Sequence, residues 1–231
     1  MTPPFRSKNA AFFEAWCAMY VKELWRYPVK SMAGESLQAA TLTLLGIEGD
    51  RIVQVRNSRG RTVTARTHPG LLKFRATLDA LGSPLVDGIR WDDPDVLKEV
   101  RKVAGAESRL VRDESVHRFD VLPLLVATDG AIAEFGRDDR RLRPNIVIGG
   151  VSGLAEREWE GGVIRIGEAV IAIHDLRARC IMTTYDPDTQ AHDPAVLRDI
   201  VERFDGTLAL NCEVVRSGEI HLNEEVNVAR R

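Results

Sequence analysis

The sequence predicts an α+β fold, made mainly of short strands and barrel-like in its larger part. Three observations predict it. Apolar residues come in brief runs, alternating or continuous, each closed by glycine, proline or asparagine. Helical periodicity is confined to a few isolated segments. Strands and helices do not alternate regularly, which argues against a doubly wound parallel sheet and for an α+β or β-barrel-like arrangement.

The elements follow in order. Val21-Lys-Glu-Leu-Trp-Arg26 alternates loosely and is ended by Tyr27-Pro28. Leu37 to Leu45 is a second strand, stopped by Gly46 and Gly49, and Ile52–Val55 with Arg61–Ala65 forms a hairpin around Asn57-Ser-Arg-Gly60. Phe74–Leu78 is another strand. A helix opens near Asp93, with Pro94 in its first turn and Gly105 as its stop. Val96, Leu97, Val100 and Val103 share one face of it at ordinary core spacing. Leu124–Ala127 is apolar throughout and reads as a buried strand; Thr128 caps a short helix to Phe135. Asn145–Ile148 is a second buried strand, and Val163–Ile166 with Val170–Ile173 makes a hairpin around Gly167-Glu168. Asp193-Pro194 opens the last helix, which ends near Phe204, and Leu208–Val215 and Glu219–Val228 close the fold.

With 231 residues the chain has room for one large domain or two small ones. A net charge of -2 gives no reason to expect nucleic acid or an anionic membrane as partner. Cys17, Cys180 and Cys212 are far apart and form no C-x-x-C pair. That argues against a disulfide framework or a structural zinc site, and a reducing cytoplasm fits best. Residues 1–18 stand outside the strand pattern. Ala10–Tyr20 is mildly apolar, but Glu14 interrupts it and it is too short to span a bilayer or to serve as a secretory signal. We expect a loosely held extension there.

Polar groups collect at strand ends, where functional side chains are commonly displayed. Tyr27-Pro-Val-Lys-Ser31, Gly49-Asp-Arg51 and Arg141-Leu-Arg-Pro-Asn145 each offer cations or amides that could converge on a phosphate or a polar heterocycle. No dinucleotide-type or P-loop glycine pattern is present, since Gly149-Gly150 followed by Gly153 has the wrong spacing. Cys180 follows an alternating strand, with Arg177 and Arg179 on its approach and Asp186-Pro-Asp-Thr189 beyond it. Neighbouring cations favour a thiolate, a soft ligand suited to redox-active metals; the bland alternative is a small apolar filler. Asp186 and Asp188 are candidates for proton delivery or for orienting the loop, and Asp-Pro-Asp-Thr is also a good self-bonding turn. His174, six residues earlier, shares a face with Cys180 only if no bulge intervenes.

Tyr27-Pro-Val-Lys-Ser31, Gly49-Asp-Arg51, Arg143-Pro-Asn145 and Arg179-Cys-Ile-Met-Thr-Thr184 together resemble the MOSC-domain proteins, named for the C-terminal domain of molybdenum cofactor sulfurase. The resemblance extends over about residues 19 to 229, and its most specific piece runs intact from Arg179 to Thr189. It implies an N-terminal β-barrel-like module over 19–112 and a MOSC domain over 113–231. It also implies reduction of N-hydroxylated substrates, as in the amidoxime-reducing components. By this resemblance Cys180 is the ligand to molybdenum in Mo-molybdopterin, and Lys30, Ser31, Arg51, Arg143 and Asn145 hold the pterin and its phosphate. The implied catalytic residues are Cys180 and Asp186. Electrons come from a separate donor protein of the flavin or of the ferredoxin or haem type, and pyridoxal phosphate binding is a further attribute attached to the family. An alternative within the same resemblance is a cofactor or sulfur carrier working through a Cys180 persulfide; a spent, non-catalytic barrel is a third reading. Two departures stand out. Val121-Leu122 replaces a Thr-Ser pair before Pro123, and Asn223-Glu-Glu225 replaces a closing Gly-Asp.

Overall fold

The computed structural model describes residues 18–229. The extension expected over residues 1–18 lies, apart from Ala18, outside the described residues. In the first half the strands are β1 (Tyr20–Arg26), β2 (Glu35–Leu37), β3 (Ala39–Thr43), β4 (Gly46–Ile47), β5 (Val53–Arg56), β6 (Thr62–Val63), β7 (Ala76–Leu78), β8 (Pro84–Val86), β9 (Ile89–Arg90) and β10 (Arg109–Arg112), with helix α1 (Pro94–Ala104) before β10. The second half contains β11 (Leu124–Thr128), α2 (Asp129–Phe135), β12 (Ile146–Gly149), β13 (Val163–Ile166), β14 (Ala169–Ala178), α3 (Pro194–Phe204), β15 (Thr207–Arg216), β16 (Gly218–His221) and β17 (Val226–Ala229). The fold is therefore mixed α+β. All three helices begin where the sequence places them, because each start carries its own cap: Asp93, Thr128 and Asp193 accept the backbone N–H of Asp95, Ala131 and Ala195.

One eight-stranded sheet organises the molecule, in the order β17-β13-β14-β15-β11-β12-β1-β2. Its two sides curl towards each other. Val21 N–H donates to Glu224 O at 2.9 Å, Asn223 N–H to Val21 O at 2.8 Å and Val226 N–H to Met19 O at 2.8 Å, so the start of β1 meets the lead-in to β17. The result is barrel-like, around a core of Val21, Leu24, Val126, Ile146, Ile164, Ile171 and Leu210. β1 pairs antiparallel with β12, and Ala40, Leu42 and Ile47 of β3 and β4 join the same core, so the first 50 residues contribute to both halves. A second core, with Val53, Val55, Phe74, Val96 and Val100, lies under β5–β8 and α1. A third, with Phe135, Val196, Ile200 and Phe204, joins α2 to α3.

Two of the expected strands are each split in two, for one reason. Leu37–Leu45 is split at Gln38 into β2, which pairs with β1, and β3, which pairs with β16 and β4. Glu219–Val228 is split by a turn in which Asn223 takes a left-handed conformation (φ 64°), sending β16 to β3 and β17 to β13. In each case one apolar run serves two sheets, and periodicity alone does not mark the change of partner. β14 extends to Ala178, beyond the predicted Ile173, because it stays paired to the long β15 through three register shifts.

Candidate functional site

Six residues singled out from the sequence line one cleft: Lys30, Ser31, Arg51, Arg143, Asn145 and Cys180. They come from both halves of the chain. The cleft encloses about 750 Å³ counting its open mouth. Three of the six are non-glycine residues in the left-handed region, Ser31 at φ 69°, Arg51 at 55° and Arg143 at 58°. Such conformations cost about 1–3 kcal/mol each and gather where a binding surface needs them.

The loop after β1 is set by Asp50, which is fully buried. Its carboxylate accepts the Tyr27 N–H at 2.7 Å and pairs with Arg51. Gly34 lets the chain turn back against Tyr27: a Cβ there would lie 2.3 Å from Arg26 O and 2.6 Å from the Tyr27 ring. The Tyr27 hydroxyl donates to Pro144 O at 3.1 Å, and its ring carries Arg143 at 4.2 Å and Arg51 at 5.3 Å. Burial pushes the Tyr27 hydroxyl up to about 12 and pulls the Arg143 guanidinium down to about 10. Asn145 is a stitch as well as a lining residue. Its side chain accepts from Leu125 N–H at 3.2 Å and from Arg51 at 3.4 Å and donates to Trp25 O at 3.3 Å, tying β1 and β11 together beside the cleft.

Lys30 donates to Arg118 O and pairs with Asp120, both at 2.8 Å. Arg66 holds the other oxygen of Asp120. Burial alone would raise the Asp120 pKa, but Lys30 and then Arg66 outweigh it and hold the carboxyl below its ordinary value. A carboxyl depressed in the folded state stabilises above the unfolded value of about 3.9 and loses that contribution as the pH falls through the lower folded value. Asp120→Asn is therefore expected to lower the melting midpoint at neutral pH and to flatten the acid limb of the stability profile below about pH 4. Thermal melts across the acid range check this. A limb as steep as that of the parent protein would remove Asp120 from it.

Cys180 is partly exposed and precedes a single 3-10 turn, Ile181–Thr184, whose Thr183 hydroxyl donates to Cys180 O at 2.9 Å. Three arginines stand near it. Burial lowers the Arg66 pKa, but the Cys180 side chain and Asp120 more than reverse this. Arg177 donates to Asn211 at 3.2 Å, and burial lowers its pKa. Arg179 donates one Nη2 hydrogen to Leu142 O at 2.7 Å, and burial brings its guanidinium down to about 10. Its Nε and Nη1 are buried with no hydrogen-bond partner. Donors left without an acceptor in a cationic cleft call for an anion. Cys212, by contrast, is fully buried in β15, and desolvation pushes its thiol pKa well up. Alkylation of the native protein should modify Cys180 and leave Cys212 intact until the fold is melted, as peptide mass spectrometry would show.

Asp186 is not among the lining residues. Its carboxylate caps the turn that it starts, accepting from Thr189 N–H and Oγ1 at 2.9 Å and pairing with Arg141 at 2.9 Å. The Thr189 bonds hold its pKa below the ordinary value, which suits an anchor better than a proton donor. Arg141 in turn donates to Thr183 O at 3.3 Å, so Asp186 bears on the loop behind Cys180. Asp188 pairs with Arg140. His174 is exposed against Glu213 at 2.9 Å, and a register shift between Ile173 and Asp175 breaks the alternation that would have aligned it with Cys180. Val121 and Leu122 do line the cleft, so an apolar wall stands where two hydroxyls were noted as missing. Arg66 and Asp120 were not anticipated. Arg66 sits in no motif, whereas Asp120 directly precedes the Val121-Leu122-Pro123 step and could have been found there.

Fold and site together define an α+β protein whose curled sheet and smaller β-rich layer enclose a cationic cleft with a thiol at its wall. The chain belongs to the MOSC family: it matches the MOSC N-terminal beta barrel domain over residues 18–120 and the MOSC domain over residues 129–227. Among curated proteins it is similar to mitochondrial amidoxime-reducing component 1 of Homo sapiens, 27% identical over 73% of this chain and 67% of that one. Mitochondrial amidoxime reducing component 2 of Homo sapiens is 28% identical over 75% and 68%. Among solved structures, the YUAD protein from Bacillus subtilis superposes with a TM-score of 0.52 at 15% identity, covering 93% of this chain and 97% of that one, which is a likeness of fold. No helix among the described residues is long and apolar enough to cross a membrane. Neither the family descriptions nor these names mention pyridoxal phosphate or a cytoplasmic location.

Proposed function

We propose that the chain is a molybdenum-dependent oxidoreductase that binds Mo-molybdopterin in this cleft and reduces small N-hydroxylated substrates. The observation that carries the reading is the Arg179 guanidinium, with two buried, unpartnered donors beside the only part-exposed thiol among the described residues. An anionic, sulfur-rich cofactor fits that donor set. Cys180 would supply a soft sulfur ligand to the metal. Lys30, Ser31, Arg51 and Arg143 would hold the phosphate and pterin through charge-assisted bonds, with Asn145 keeping Arg51 in place. Among the described residues no cluster of three His, Cys, Asp or Glu side chains is placed to cage a metal, so a metal at Cys180 would bring further ligands with it.

When bound, the cofactor supplies two-electron redox chemistry. The overall change, R–NHOH + 2 e⁻ + 2 H⁺ → R–NH₂ + H₂O, needs two electrons from a separate donor protein and two protons. This chain's part is to orient the cofactor, to set Cys180 among the cations Arg66, Arg177 and Arg179, and to shape the apolar wall of Val121 and Leu122. Asp186 holds the loop through Arg141.

The test is metal and pterin analysis of protein made in a molybdate-fed host. One molybdenum per chain, with pterin fluorescence after oxidation, is expected. A persulfide on Cys180 with no metal would instead establish a sulfur carrier, and neither would leave a scaffold. Arg143→Ala should lower occupancy about 10–100-fold at limiting cofactor while leaving turnover per bound cofactor unchanged. Unchanged occupancy would remove Arg143 from the binding wall.

A further inference from the structure

Behind the wall formed by Arg141, Arg143 and Met182 lies a second cleft, of about 1150 Å³ counting its mouth. The same three side chains line both clefts. We infer that this second cleft is a ligand site in its own right, for a flat aromatic ring bearing an anionic group. Trp25 and Tyr185 line it and give stacking surfaces, while the Tyr27 ring beside them already carries Arg143 and Arg51. Four arginines and a lysine also line it, and their charges are not equally compensated. Arg140 is neutralised by Asp138 and Asp188, and Arg141 by Asp186. Lys73, Arg75 and Arg143 have no ion pair among the described residues. Two nearby carboxylates are committed elsewhere. Asp87 accepts the Arg75 backbone N–H at 2.8 Å, and Glu99, which senses Lys73, is bonded to Lys102 at 2.5 Å.

Aromatic faces together with Lys73 and Arg75, the cations that this cleft does not share with the first, select a ring and an anion in one molecule. An apolar ring alone would leave the cations unanswered, and a bare anion would leave the aromatic surfaces wet. The backbone here is built for close approach. Gly34 and Ala33 line the cleft, and Ala33 is bonded on both sides, to Phe74 O and from Ala76 N–H, each at 2.9 Å. The inference does not depend on molybdenum, because none of the residues that distinguish this cleft from the first carries the thiol chemistry.

Calorimetric titration of the purified chain with adenosine monophosphate tests it, with adenosine and inorganic phosphate as separate arms. The nucleotide should bind at least about tenfold more tightly than either fragment. Arg75→Glu should weaken it by at least about tenfold, whereas Arg66→Glu, in the first cleft, should leave it unchanged. Both side chains are partly or fully exposed, so these variants are expected to fold. Three results would overturn the inference: no binding at millimolar nucleotide, phosphate binding as tightly as the nucleotide, or loss on Arg66→Glu with none on Arg75→Glu. None of these readouts involves metal content, so failure here leaves the reading of Cys180 standing, and the converse holds too.

Discussion

Cys180→Ser is expected to cut amidoxime reduction by the chemically reduced protein at least about a thousandfold, a loss of about 4 kcal/mol in transition-state stabilisation. The change exchanges one atom and little volume, so the fold should survive it. What changes is the donor. Oxygen is a harder ligand than sulfur and suits a soft, redox-active metal less well. Molybdenum content should fall far less than turnover, since in the proposed reading Lys30, Ser31, Arg51 and Arg143 would still hold the cofactor. The two quantities must therefore be measured on the same preparation. Equal turnover in the serine variant would show that Cys180 is the small apolar filler that its residue type alone would suggest.

Asp50→Ala should have the largest effect on stability. The carboxylate is fully buried, bonded to the Tyr27 N–H and paired with Arg51. Its loss strands a half-buried cation and a buried backbone donor, a situation that costs about 3 kcal/mol or more. For a chain of this size that is a fall in melting temperature of roughly 10 °C or more. Asp50→Asn keeps an acceptor for Tyr27 but not the charge, so it should fall between the two. Because Asp50 sets the loop that carries Lys30 and Ser31, the alanine variant should also retain less cofactor at temperatures where it remains folded. A melting point within 1–2 °C of the parent would mean that Arg51 finds another partner.

Much of this architecture was legible in the sequence, and the illegible parts share a cause. Helix starts were readable because Asp93, Thr128 and Asp193 carry their instructions locally. Buried strands such as β11 and β12 announced themselves as unbroken apolar runs. The breaks at Gln38 and Asn223 did not, because they are set by which distant strand each piece meets. The site follows the same division. Lys30, Ser31, Arg51, Arg143, Asn145 and Cys180 sit in short motifs and do converge on one cleft. Arg66 reaches it through Asp120, a partner 54 residues away that no local pattern reveals. Asp50, which fixes the loop, looked like an ordinary turn residue beside Gly49. At Asp186 a conspicuous turn and a reactive loop coincide, so residue type and position alone do not separate an anchor from a proton donor.

The cleft draws its walls from opposite ends of the polypeptide: Lys30, Ser31, Arg51 and Arg66 from early in the chain, Cys180 and Asn211 from late. On the ribosome the cations of the first half emerge long before the strands that carry the thiol. The thiol-bearing cleft is not complete on a nascent chain until β14 and β15 have been made and β15 has been inserted beside β11. Any cofactor must then be acquired after translation is nearly finished, and a message cut short before β15 would yield a fragment without the complete cleft.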